Sequence, residues 1–264
     1  MRRALFFLAL LLPALSALAQ PTFSLETMTS PEVRDAIAAG KTTILVPIGG
    51  TEQNGAHMVL GKHNLRARLL AERIAAKLGN ALVAPVVTYV PEGNVTPPAA
   101  HMRYAGTISI PGDAFEKLLA GAARSFRQHG FRDVVFLSDH GGYLRSVDKA
   151  VAELNREWRH TNARAHAPAE YYEAATTGFA KMLAGEGFRA AQIGQHAGLA
   201  DTSLMLALDP AAVRHDAMLA EPSAGVDGDP RKATAELGQR GVASIVDKTV
   251  IAINNSIKAT RSAR

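Results

Sequence analysis

No cysteine occurs among the 264 residues. Disulfide staples, thiol chemistry and a lipid-modified cysteine anchor are therefore excluded, and the chain must be held together by its core. Lysine and arginine number 29 against 24 acids, but they are scattered without a run of five, so the footprint of a nucleic-acid binder is missing. Also missing is a Gly-x-Ser-x-Gly elbow, and Ser138-Asp139-His140 cannot serve as a hydrolase triad, because alternate residues of an extended chain point to opposite faces. Gly55 to Lys62 imitates a phosphate loop only superficially: the spacing is one residue too long, and His63 stands where a hydroxyl should bind magnesium. There is no internal repeat and no low-complexity linker.

A membrane-spanning run is absent as well. The apolar stretch from Ala4 to Leu15 falls short of the roughly 20 residues that a spanning helix needs, and Pro13 interrupts it. With Met1-Arg2-Arg3 before it and Ala17-Leu18-Ala19 after it, residues 1–19 read as a signal peptide cleaved before Gln20, and the chain as exported to a periplasm or the medium. Cleavage takes Arg2 and Arg3 with it and lowers the formal charge from +5 to about +3. Residues 20–264 then form one α/β domain, and a hydrophobic content of 47% suffices for its core.

What is present is a repeating order of strand, polar loop and helix. Ser30-Pro31-Glu32 opens a short helix that Gly40 stops, and a strand begins at about Thr43. Leu65 to Leu78 carries apolar residues at helical spacing. Ala81 to Val90 reads as a strand, Pro91 to Ala100 as an irregular loop, and Gly112 to His129 as a helix. Val134 to Leu137 is a buried strand, followed by a helix from Leu144 to Trp158. Beyond Arg164 the pattern weakens, with helices expected over 170–183, from Ser203 to Leu208 and from Ala233 to Lys258.

Three polar clusters lie at the ends of these elements. Glu52, His57 and His63 follow the first strand, Asp139 and His140 follow the apolar strand at 134–137, and His196, Asp201 and Ser203 surround a glycine turn. Of nine histidines, five (His57, His63, His101, His140, His196) fall in such loops or turns, whereas His129, His160, His166 and His215 sit in helix ends or connectors. Imidazole and carboxylate together suit Zn²⁺, Mn²⁺ or Fe²⁺, and a catalytic zinc site uses three protein ligands with one position open. Clusters on neighbouring parallel strands converge on one crevice.

Four segments carry a resemblance: Val46-Pro47-Ile48-Gly49-Gly50-Thr51-Glu52-Gln53, Gly106-Thr107-Ile108-Ser109-Ile110, Asp139-His140-Gly141-Gly142, and His196-Ala197-Gly198 before Asp201-Thr202-Ser203. In this order, across roughly residues 40–210, they resemble the creatininase family of metal-dependent amidohydrolases. The resemblance implies a single three-layer α/β domain with a mostly parallel sheet flanked by helices. It also implies a homo-oligomer, commonly a hexamer in the family, and hydrolysis of a C–N bond in a small cyclic amide or formamide with one or two divalent metals. This chain departs from the family pattern at several positions. Asn54 stands for the family's histidine, His63 for its metal-bridging aspartate, Tyr143 for an asparagine, and Leu199 and Asp201 for two glutamates. Carried over residue by residue, the resemblance implies one metal, zinc with manganese or iron as alternatives, held by Glu52, His63 and His140. It makes His196 the proton-transfer group, Asp201 a carboxylate orienting His196 or a ligand imidazole, and His57, His101 and Tyr143 residues of the substrate pocket. The competing class is a non-catalytic periplasmic metal- or ligand-binding descendant of the same fold.

Overall fold

Strand β1 spans Thr43–Ile48 and is buried at every position, as a β-branched run destined for the middle of a sheet should be. The computed structural model describes residues 23–262, so the expected signal peptide lies outside the described residues. Strands β2 (Ala81–Val83), β3 (Asp133–Ser138) and β4 (Arg164–His166) join β1 in one parallel sheet of order β2-β1-β3-β4. The helices are α1 (Ser30–Ala38), α2 (Lys62–Leu78), α3 (Gly112–Gln128), α4 (Leu144–Glu157), α5 (Ala169–Glu173), α6 (Phe179–Gly185), α7 (Ala190–Ile193), α8 (Leu199–Leu208), α9 (His215–Leu219) and α10 (Ala235–Ser262).

Alternation along the strands sorts the core into two layers. Leu45, Val135 and Leu137 pack with Leu70 and Ile74 of α2 and Ile245 and Ile253 of α10. Ile44, Val46, Val134 and Phe136 face the other way, against Phe115 and Leu119 of α3 and Val147 and Leu154 of α4. Helices thus cover both faces of the sheet, the expected three-layer α/β arrangement. No helix among the described residues is long and apolar enough to cross a membrane.

The elements differ from the sequence reading where polar residues or proline intervene. The cap of α1 is Thr29, whose side chain pairs with Glu32 in a capping box, one residue before the expected serine. Helix α2 begins at Lys62, three residues ahead of its apolar periodicity, because Lys62, His63 and Arg66 are polar and nevertheless buried. His63 therefore sits in a helical first turn, not in a loop. The expected strand over 81–90 ends at Val83: Pro85 cannot donate to a ladder, and only isolated bonds such as Val87 N to Pro47 O continue the pairing. Strand β4 left no apolar signature. Its His166, expected in a connector, is buried in the strand between Asp133 and Ser256.

From β1 the chain passes through α2 to β2 on one side, then through α3 to β3 on the other. That reversal is a topological switch point, where the loops leaving two adjacent strands separate and open a crevice at their carboxyl ends. Glu52 follows β1 there, and Asp139 and His140 follow β3.

Candidate metal centre

The crevice is built by close backbone approach. A side chain at Gly49 would stand 2.2 Å from Asn64 Oδ1 in α2, and one at Gly50 2.4 Å from Glu92 Oε1, so only glycine lets the chain leave β1 along this path. Tyr143 ties the two loops together. Its hydroxyl proton lies between the carbonyls of Ile48 and Gly49 at 2.8 and 2.7 Å, while its oxygen accepts from Asp139 N and His140 N at 3.2 and 3.1 Å.

Glu52 is fully buried at the centre of four imidazoles. Its Oε1 lies 2.8 Å from His63 Nε2 and 3.6 Å from His196 Nδ1. Its Oε2 lies 3.2 Å from His101 Nε2 and 3.8 Å from His140 Nε2. Two donor triads result, Glu52–His63–His140 and Glu52–His101–His196, each with its ligand atoms within 4.8 Å of one another. Burial raises the affinity of Glu52 for a proton, but the hydrogen bond and charge of His63, with Lys62 behind, outweigh it and hold the carboxyl well below the usual range. Oε2 is buried without a hydrogen-bond partner, an acceptor that a cation would satisfy. Carboxylate with imidazole fits zinc, manganese or iron.

Behind the first triad stand carboxyl groups. His63 Nδ1 meets Asp139 Oδ2 at 2.6 Å, and Asp139 is gripped in turn by Arg66 Nε at 2.9 Å and the Tyr171 hydroxyl at 2.8 Å. Burial would raise the Asp139 pKa; Arg66 and His63 overcome that and lower it. Burial and the charge of His63 push His140 down to about 3, leaving its ring neutral and fit to be a ligand. Glu92 Oε2 is 3.5 Å from His140 Nδ1; burial and the neighbouring Glu52 push the Glu92 carboxyl up to about 9.

Behind the second triad stand an amide and a backbone carbonyl. His196 Nε2 donates to Gln53 O at 2.9 Å, which leaves Nδ1 as the lone-pair nitrogen facing Glu52. The Gln53 amide cannot turn over, since Oε1 accepts from Gly55 N and Nε2 donates to Gly225 O. Its second amide hydrogen therefore points at His101 Nδ1, 3.1 Å away, and His101 carries its own proton on Nε2. Burial and Lys62 lower His196 to about 4.

The structure brings Glu52, His63, His101, His140 and His196 together. The other residues named from the sequence lie elsewhere. His57 is buried, bonded to Thr202 Oγ1. Tyr143 is the inter-loop tie and is absent from the lining of the cavity beside the cluster, about 750 Å³, which His101, His140, Ile110 and Pro111 help to wall. Asp201 bonds no imidazole; it accepts from Lys62 Nζ at 2.9 Å, Arg66 at 2.6 Å and Ala197 N at 2.9 Å, and the carboxylate that orients a ring is Asp139. Sequence reasoning passed over Gln53, Lys62, Arg66 and Glu92. For Lys62 and Arg66 one signal existed: cations four apart where a helix begins, on the same face as His63.

The creatininase family model, described as creatinine amidohydrolase, matches residues 26–253. A mycofactocin precursor peptide peptidase of Mycobacterium tuberculosis is 30% identical over 237 residues, covering 79% of this chain and 83% of that one. A creatinine amidohydrolase of Pseudomonas putida is 27% identical over 200 residues, covering 75% and 76%. Among solved structures, a creatinine amidohydrolase superposes with TM-score 0.75 at 23% identity, over 90% of this chain and 99% of that one. A mutant creatininase of Zn-Zn type shares the fold at TM-score 0.74 and 22% identity, over 90% and 99%.

Proposed function

The chain belongs to the creatininase family, and from that premise we propose that it is a metal-dependent amidohydrolase whose ion is held by Glu52, His63 and His140. The observation that carries this reading is the straight relay from Glu52 through His63 to Asp139, with contacts of 2.8 and 2.6 Å. An imidazole that gives its far nitrogen to a fixed carboxylate is oriented as a ligand and made a better electron donor. A divalent ion there supplies a Lewis acid for an amide carbonyl and lowers the pKa of water toward neutrality. The protein does the rest. His196, with Nε2 tied to Gln53 O, keeps Nδ1 free to move a proton at the departing nitrogen. His101 Nε2–H, off-line for a hydrogen bond to Glu52, offers a donor to a substrate carbonyl. Pro91, Ile110 and Pro111 give the adjoining cavity an apolar wall.

The substrate class is a small amide, lactam or formamide. A peptide amide is the second reading, favoured by a cavity of about 750 Å³ that exceeds such a molecule and by relatives named as peptidases. Export through residues 1–19 and homo-oligomeric assembly belong to the same proposal. The test is hydrolysis of a panel of lactams, cyclic ureides, formamides and short peptides by the purified mature chain, before and after chelation. Turnover that disappears with the metal and returns with zinc or manganese is expected. Bound metal without turnover on any member would move the protein to the non-catalytic class, and absence of tight metal binding would end the reading.

A further inference from the structure

Glu92 is 4% exposed, and neither of its carboxyl oxygens has a hydrogen-bond partner. A buried carboxyl without partners is costly, and proteins rarely retain one that has no task. Its position is not accidental. Glu92 N donates to Ser109 Oγ at 3.0 Å, Ser109 Oγ donates on to Gly93 O at 2.7 Å, and the bare Cα of Gly50 makes room for Oε1. The side chain is thus fixed with Oε2 3.5 Å from His140 Nδ1.

That nitrogen offers no hydrogen in this arrangement. Gly142 N donates to His140 Nδ1 at 3.2 Å, so the ring carries its proton on Nε2, the atom turned toward Glu52. A ring that binds an ion through Nε2 must carry its proton on Nδ1 instead. Glu92 is the carboxyl group standing at Nδ1, as Asp139 stands at the corresponding nitrogen of His63.

Resting on the metal reading above, we propose that Glu92 is a positioning residue for His140: its carboxyl oxygen Oε2 accepts the Nδ1–H of that ring when Nε2 binds the ion, and this gives the centre a second carboxyl–imidazole pair beside Asp139–His63. The orphaned carboxyl and the misplaced ring proton are then two halves of one arrangement that only the loaded centre completes.

Zinc affinity, measured by chelator competition in wild type, Glu92→Gln and Glu92→Leu, tests this together with the ¹⁵N-histidine spectrum of the zinc-loaded protein. Loss of the second carboxyl group in Glu92→Leu weakens zinc roughly 10- to 100-fold with stoichiometry unchanged. Glu92→Gln keeps an acceptor oxygen and weakens it less. The loaded wild type shows a slowly exchanging Nδ1–H for His140. A zinc affinity in Glu92→Leu equal to wild type overturns the proposal while leaving the metal reading intact, whereas a loaded spectrum with the His140 proton still on Nε2 overturns it together with the place of His140 among the ligands. Failure of the wild type to bind zinc at all removes that reading instead. If Glu92→Leu does not fold, the wild-type spectrum and the isosteric Glu92→Gln decide the matter.

Discussion

The two sides of Glu52 present the same chemical groups and differ in what stands behind them. On one side His63 and His140 are backed by Asp139 and Glu92; on the other His101 and His196 are backed by the Gln53 side-chain amide and backbone carbonyl. Distance alone does not separate the triads, since both fit within 4.8 Å. The backing groups do. Asp139 at the far nitrogen of His63 can hold the ring proton there and turn the near lone pair to an ion, and at His140 the Glu92 carboxyl stands beside the far nitrogen as well as the Gly142 amide, whereas the far nitrogen of His101 meets the Gln53 amide in place of a carboxyl. Lys62, buried 3.8 Å from Glu52 Oε1 and 2.9 Å from Asp201, adds a fixed positive charge that also lowers His196. On the function proposed above, one side holds the cation and the other moves protons and binds polar atoms of the substrate.

The largest effect should come from the proton-handling side. His196→Ala is expected to lower kcat by roughly 10²- to 10⁴-fold, the usual range for a general acid or base, while elemental analysis finds metal content unchanged; metal loss in this variant would make His196 a ligand and erase the distinction. On the other side, His63→Ala removes one of three protein donors. Zinc affinity should fall by more than the roughly 100-fold limit of an indirect change, and the far-ultraviolet spectrum should stay that of wild type. Wild-type affinity in that variant would place the ion elsewhere.

A smaller change tests the backing groups themselves. Gln53→Glu sets a carboxylate against His101 Nδ1 and should raise bound metal at saturating Mn²⁺ from one equivalent to two, seen as spin coupling in the electron paramagnetic resonance spectrum. Two equivalents already present in wild type would show that the amide does not discriminate. The smallest effect is one of pH on the metal-free protein. Burial first, then Lys62, holds folded His196 at about 4 against an ordinary 6.5, so between those values the unfolded chain binds a proton that the folded chain refuses. Its contribution is therefore lost as pH falls from about 6.5 toward 4. The urea midpoint of wild type should drop more steeply over that window than that of His196→Ala, and parallel curves would refute the assignment.

Apolar patterning made most of the fold legible. Val134 to Leu137 and Thr43 to Ile48 read as buried strands because both faces of a covered parallel sheet demand apolar residues, and α3 and α4 showed their helical spacing. Strand β4 and the first turn of α2 were silent for the opposite reason: Arg164, His166, Lys62, His63 and Arg66 answer their neighbours by charge and hydrogen bonding, to which hydrophobic periodicity is blind. In the site, glycine-rich turns after strands pointed to Glu52, His63 and His140. They pointed equally to His57, which packs inward on Thr202.

The sequence by itself determined that two strand ends would each carry carboxylate and imidazole, since the succession of strands, turn glycines and residue types are local properties of the chain; that β1 and β3 lie side by side, so that both ends meet in one crevice, came from the sheet. The division of labour among those groups was decided only by tertiary structure. Gln53 reaches His101 across 48 positions and Gly225 across 172, and Arg66 reaches Asp139 across 73. A ring's proton is placed by whichever atom packs against its far nitrogen, and that neighbour comes from another part of the chain.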